Sequence, residues 1–222
     1  MKLLVCCNAL SQINLVTDWL NSNAEKHSEL FYKSAQHEIT LLEMGYGGFQ
    51  VGFHIANHLA SNQYHLALKA GFASAFKDNI AVGEVVNIIN DKPADTGIYS
   101  DEGFKDLYEL GLLSINDKPH QMGGFVNKTN AYLNVFIPFR KVLSLSVNTS
   151  SSDVALRDGR VAKYNPHIET SDGINFAYTC LFRQQPFYHL SAVEQNFVSG
   201  EKNKELAHKN LNESIIDIIQ KI

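Results

Sequence analysis

The chain has no apolar run near the roughly 20 residues that a membrane-crossing helix needs, so no membrane partner is expected. Its start, Met1-Lys2-Leu3-Leu4-Val5-Cys6-Cys7, holds one lysine and then about five apolar residues before Asn8. That is short of a secretory signal core and reads instead as a buried first strand. Cysteine is scarce. Cys6 and Cys7 are neighbours that rarely bridge each other, Cys180 is far away, and an odd total builds no disulfide framework. A reducing, cytoplasmic compartment is the expectation. Basic excess is lacking too: 19 basic against 23 acidic residues give a net charge of −4. Neither a nucleic-acid partner nor a charged tail is implied. Arginine is limited to Arg140, Arg157, Arg160 and Arg183, none of them in a glycine turn. Lys69 reads as a solvated strand lysine, since lysine is almost never fully buried, and cationic groups for a phosphate are therefore few. The nine histidines are scattered. His54 and His58 stand at i, i+4 with no supporting ligand, and read as two surface histidines. No metal and no cofactor is expected. A Gly-x-Ser-x-Gly elbow is missing, and thiols inside a buried strand are inert.

What is present is an ordinary globular composition, 45% hydrophobic and 19% charged over 222 residues. It suits one large domain over residues 1–222 with a real core. No internal repeat or linker interrupts it. Short apolar runs alternate with helical periodicity, the pattern of an α/β fold. Strands are expected at Lys2–Cys7, Ile39–Met44, His65–Ala70, Gly83–Ile89, Val142–Val147 and Pro186–Val193. Helices are expected at Gln12–Asn21, Phe49–Ala60, where Val51, Ile55 and Leu59 recur at steps of four, Asp172–Phe182 and Asn203–Ile219. The span from Asn90 to Met122 reads as a long, mostly irregular segment, and such segments are usually functional or bind partners.

Five motifs carry a resemblance. Gly45-Tyr46-Gly47-Gly48-Phe49-Gln50-Val51 is a glycine turn opening a helix, where backbone amides can approach a ligand. Leu68-Lys69-Ala70-Gly71-Phe72-Ala73-Ser74-Ala75-Phe76 is followed by Val82-Gly83-Glu84-Val85-Val86. Ala94-Asp95-Thr96-Gly97, Asp101-Glu102-Gly103-Phe104 and Leu107-Tyr108-Glu109-Leu110-Gly111-Leu112 form a third group. Ser146-Val147-Asn148-Thr149-Ser150-Ser151 and Glu169-Thr170-Ser171-Asp172-Gly173 complete the set. In this order the chain resembles the superfamily of nucleoside phosphorylases and nucleosidases over nearly its whole length. Within it, the third group resembles the futalosine hydrolases. The resemblance implies a three-layer α/β sandwich: a central mixed, twisted sheet with helices on both sides.

It also implies a site. Gly71, Phe72, Ala73, Thr149 and Ser150 would line a nucleoside pocket, together with Glu169, Thr170 and Ser171. The family stretch Glu-x-Met-Glu-Gly places a glutamate on the ribose hydroxyls. Here Asp172 stands at that position, about 1.5 Å shorter by one C–C bond, and Ser171 replaces the methionine that floors the sugar. Cleaving an N-glycosidic bond passes through an oxocarbenium-like sugar and needs a proton for the leaving base. The family acid or amide after the last strand falls at Gln195, with Glu194 beside it, able to take over if the strand register shifts by one. Ser191 replaces the family arginine. After strand one no carboxylate stands among residues 8–14; Gln12 or Asn14 could hold a water but cannot take its proton. The resemblance thus implies hydrolysis of a futalosine-like purine nucleoside, with Asp172, Gln195 and Glu194 as catalytic residues and a divergent site. The alternative is a homologue that binds a nucleoside or a partner subunit without catalysis. A homodimer is implied by the family.

Overall fold

The computed structural model describes residues 1–101 and 103–222. Strand β1 (Lys2–Cys7) leads through a 3₁₀ turn at Leu10–Ile13 into α1 (Asn14–Asn23). A meander follows: β2 (Glu25–Ser28), β3 (Phe31–Lys33) and β4 (Glu38–Glu43). Next come α2 (Gly48–Ser61), β5 (Leu66–Ala75) and β6 (Val85–Pro93). The hairpin β7 (Gly97–Ser100) and β8 (Gly103–Asp106) stands apart from the main sheet. The rest is β9 (Phe125–Val126), α3 (Leu133–Phe136), β10 (Arg140–Ser146), α4 (Val154–Tyr164), β11 (Ile168–Thr170), α5 (Gly173–Phe182), β12 (Phe187–Asn196) and α6 (Lys204–Lys221). No described helix is long and apolar enough to cross a membrane.

The main sheet runs β11-β10-β6-β12-β5-β1-β4-β3-β2, with β9 joined to β6. It is mixed: β5 lies parallel to β1 and β12, while β12 lies antiparallel to β6. β11 also pairs back onto β5, so five strands close on themselves at one end of the sheet. Side chains alternate along a strand, and β1 shows how this builds two cores. Leu3, Val5 and Cys7 pack with Val16 and Leu20 of α1 and with Leu211, Ile215, Ile218 and Ile219 of α6. Leu4 and Cys6 turn the other way, onto Val51, Ile55 and Leu59 of α2 and Phe176, Ala177 and Cys180 of α5. Helices therefore cover both faces, as the α/β sandwich reading expects.

The structure departs from the sequence reading in several places. The span 90–122 is less irregular than expected, since β6 runs on to Pro93 and a hairpin follows. Gly97 lets that hairpin close, because a Cβ there would strike the backbone of Lys105. Glu102, within the third motif, lies outside the described residues. Helix α4 is added after the polar run, with Asp153 capping it by accepting from the Leu156 amide at 2.9 Å. Strand β5 continues through the small residues to Ala75, where stopping at Ala70 was expected.

Candidate active site

Where β5, β11 and β12 meet the start of α5, a cavity of about 420 Å³ opens. Its floor is charged. Lys69 reaches Asp172 with Nζ to Oδ1 at 2.9 Å, and both side chains are almost fully buried, at 2% and 1% exposure. This corrects the expectation that Lys69 is solvated: a lysine is tolerated inside when a carboxylate meets it. Asp172 Oδ2 accepts from Asn8 Nδ2 and from Ser171 Oγ at 3.1 Å. Lys69 Nζ also lies 3.4 Å from Asn8 Oδ1. Asp172 precedes α5, where the sequence placed it within the first turn, and its carboxylate caps no helix amide. The side chain turns to the lysine instead.

Behind this pair lies a second buried acid. Asp91 of β6 accepts from Ser146 Oγ at 2.9 Å, and Ser146 Oγ accepts from the Ile174 amide at 2.8 Å. Burial pushes the Asp91 carboxyl up to about 7, against the lowering effect of Ser146 and Lys69. His189 of β12 is fully buried, and burial, helped by the charge of Lys69, holds it well below the ordinary histidine range. Its Nε2 lies 3.3 Å from Ser191 Oγ, while Nδ1 has no partner among the described residues. Gly173 lets Asp91, His189 and Thr170 crowd together; any Cβ there would collide with all three.

One wall is the loop after β10. Glu169 accepts from the Ser151 amide at 3.0 Å, Ser151 Oγ at 2.5 Å and Ser150 Oγ at 3.2 Å. Arg160 of α4 lies 3.6 Å from Glu169 and donates to the Thr149 carbonyl at 2.6 Å and Ser151 Oγ at 2.8 Å. Asp95 holds the same loop by accepting from the amides of Asn148 and Thr149. The opposite wall is β12, whose pairing with β5 slips by one residue between Val193 and Gln195. Glu194 is the extra residue of this bulge. It lines the cavity, and its carboxylate has no hydrogen-bond or ion-pair partner among the described residues.

Of the residues singled out in the sequence, Phe72, Ala73, Ser150, Glu169, Thr170, Ser171, Asp172 and Glu194 come together around the cavity. Gly71, Thr149 and Gln195 do not line it. Gly71 packs beside Lys69 and Ser191. Thr149 acts through its backbone, on Asp95 and Arg160. Gln195 bridges to Lys202, because the bulge gives the cavity-facing place to Glu194. Asn8, Gln12, Tyr46, Lys69, Ser74, Asn148 and Lys204 also contribute to the lining. The sequence already names Gln12 as able to hold a water, and Tyr46, Lys69, Ser74 and Asn148 stand within its motifs, Lys69 being read there as solvated; it gives no role to Asn8 or Lys204. Among the described residues, no three His, Cys, Asp or Glu side chains converge as a metal site needs. The thiols are buried; that of Cys7 is pushed up to about 12, chiefly by burial.

No protein-family model and no curated protein matches the sequence. Solved structures do match the fold. The 5′-methylthioadenosine/S-adenosylhomocysteine nucleosidase of Campylobacter jejuni superposes with a TM-score of 0.79 at 15% identity, over 100% of both chains. The futalosine hydrolase of Helicobacter pylori gives 0.78 at 11%, over 100% of this chain and 98% of that one. The S-adenosylhomocysteine nucleosidase of Streptococcus pyogenes, in complex with 5-methylthiotubericidin, gives 0.78 at 14%, over 100% and 97%. The chain therefore has the nucleoside phosphorylase/nucleosidase fold, the one that its motifs lead one to expect.

Proposed function

We propose that this chain hydrolyses the N-glycosidic bond of a purine nucleoside, futalosine-like in kind, with Glu194 as the proton-transfer group. One observation carries the reading: among the described residues, Glu194 is the cavity acid left without a partner, while Glu169 and Asp172 are engaged. As the bond to the base breaks, the sugar becomes oxocarbenium-like and the base needs a proton. Glu194 delivers that proton or takes one from water. Asp172 lies at the floor, where its carboxylate, paired with Lys69, would meet the sugar end of a nucleoside. Gln12 lines the same cavity and can hold a water. Hydrolysis is favoured over phosphorolysis because the buried cation, Lys69, is already paired, which leaves Lys204 at the exposed mouth.

The test is release of free base from futalosine, methylthioadenosine, inosine and adenosine, with and without phosphate. Release from one of them without phosphate is expected. A strict phosphate requirement overturns the hydrolytic reading.

A second reading has its own observation. The buried Lys69–Asp172 pair, with Asn8 and Gln12 where a carboxylate would activate water, suits a protein that binds a nucleoside without cleaving it. Calorimetric binding with no base release decides for it. In either case we take the chain to act as a homodimer. The adjacent helices α2 and α5 expose Phe49, Phe53 and Phe182, a surface that a second copy would cover. Sedimentation at micromolar concentration checks this.

A further inference from the structure

The floor of the cavity is satisfied from within. An ionised carboxylate accepts at about four positions. Asp172 uses one on Lys69 and two on Asn8 and Ser171. Lys69 in turn has its charge neutralised at 2.9 Å and a further contact with Asn8 Oδ1. Four side chains, from β5, from the end of β1 and from the segment before α5, thus complete one another.

This arrangement decides how the site reads a sugar. A site discriminates strongly for a hydroxyl only when its own buried polar groups go unpaired once that hydroxyl is missing. The large penalty belongs to the orphaned group in the protein, and the new bond itself is worth much less. Here Asp172 is not orphaned, because Lys69, Asn8 and Ser171 hold it. A missing 2′-hydroxyl leaves behind no buried carboxylate without a partner.

We propose that Lys69 is a specificity-determining residue: by occupying Asp172 it makes the cavity nearly indifferent to the 2′-hydroxyl, so ribonucleosides and 2′-deoxyribonucleosides are accepted alike. The inference rests on the cavity being a nucleoside site with Asp172 at the ribose hydroxyls, as the resemblance implies. It goes beyond that reading by naming the sugar class. Removing the ammonium would leave Asp172 with Asn8 and Ser171 alone, on two of its roughly four acceptor positions, so that the 2′-hydroxyl takes up the unmet charge and discrimination returns.

The experiment uses the full chain with inosine against 2′-deoxyinosine and adenosine against 2′-deoxyadenosine. The readout is kcat/KM where base is released, and Kd by calorimetry where it is not. A ribo-to-deoxy ratio below about 10 is expected, since no orphaned group adds to the loss of one hydrogen bond. A larger ratio overturns the proposal while leaving the nucleoside site standing. If folded protein takes neither sugar series, the proposal and the nucleoside reading fall together. Lys69→Met should raise the ratio at least about tenfold, and an unchanged ratio in folded Lys69→Met counts against the role of the lysine. Should that variant fail to fold, the wild-type ratio decides alone.

Discussion

The floor and the mouth of the cavity differ in one respect: whether their charged groups already have partners. At the floor, Lys69, Asp172, Asn8 and Ser171 form a closed set of contacts. Toward the mouth, Glu194 sits on a bulge with no side-chain partner among the described residues, and Lys204 and Tyr46 are exposed. Groups that satisfy one another hold shape and set the field, whereas a free carboxylate can move a proton. Stability and chemistry are thereby assigned to different residues only one strand apart.

Mutations at the two ends should separate these roles. Lys69→Met should have the largest effect on folding, about 3–5 kcal/mol, because it leaves a buried carboxylate without its cation. Chemical denaturation measures this, and a loss under about 1 kcal/mol would show the pair to be dispensable. Glu194→Gln should lower base release by about 10²–10⁴-fold, the usual weight of a general acid or base. Its stability should stay within about 0.5 kcal/mol of the parent, since no partner is lost. A Glu194→Gln variant that loses several kcal/mol of stability, on the order of a broken buried pair, but keeps its turnover would reverse the assignment of floor and mouth.

Asp91 tests the layer beneath. Its carboxyl rises from 3.8 to about 7 on burial, so the folded state holds a proton that the unfolded chain has released. Its contribution to stability is complete below about pH 4 and is lost as pH rises toward 7. Asp91→Asn, which mimics the protonated acid, should remove that decline. His189 works in the opposite direction: held below 6.5, it costs stability as pH falls through the ordinary histidine range. The difference between parent and Asp91→Asn, followed from pH 4 to 8 by thermal unfolding, isolates the acid. A difference that does not vary with pH would show that Asp91 ionises normally. The smallest effect is expected at the wall. Ser151→Ala removes one of several donors to Glu169 and should cost about 1.5 kcal/mol, the low end for a hydrogen bond to a charged group, with base release changed only a few-fold. A loss of turnover as severe as that of Glu194→Gln would make the wall part of the chemistry.

Much of the fold is legible in the sequence because its signals are local. The continuous apolar run of β1 announces a strand buried on both faces, and the step of four in Val51, Ile55 and Leu59 announces α2. Helix α4 escapes because the residue it buries is Arg160, whose charge is met by Thr149, Ser151 and Glu169. Strand β2 escapes because all four of its residues are exposed, so it has no alternation. The site is legible in outline: Asp172 and Glu194 were marked, and both line the cavity. The burial of Lys69 was not legible, since its partner lies 103 positions further on and no spacing rule joins β5 to α5. The choice between Glu194 and Gln195 was likewise hidden, because a bulge is a relation between two strands and neither one shows it alone.

That bulge makes β12 a strand with two parities. From Phe187 to Val193 the chain keeps one count against β5, and from Gln195 onward it keeps another. A substitution changes one side chain, but losing a single residue here would merge the two counts into one regular register and remove the bulge that places Glu194 at the cavity. Asn196, which anchors the Lys77 and Ile80 carbonyls and pairs with Ala75 beyond the bulge, would keep its station while the place of Glu194 vanished. Descendants of this sequence can therefore trade residues around the cavity far more freely than they can change the length of β12.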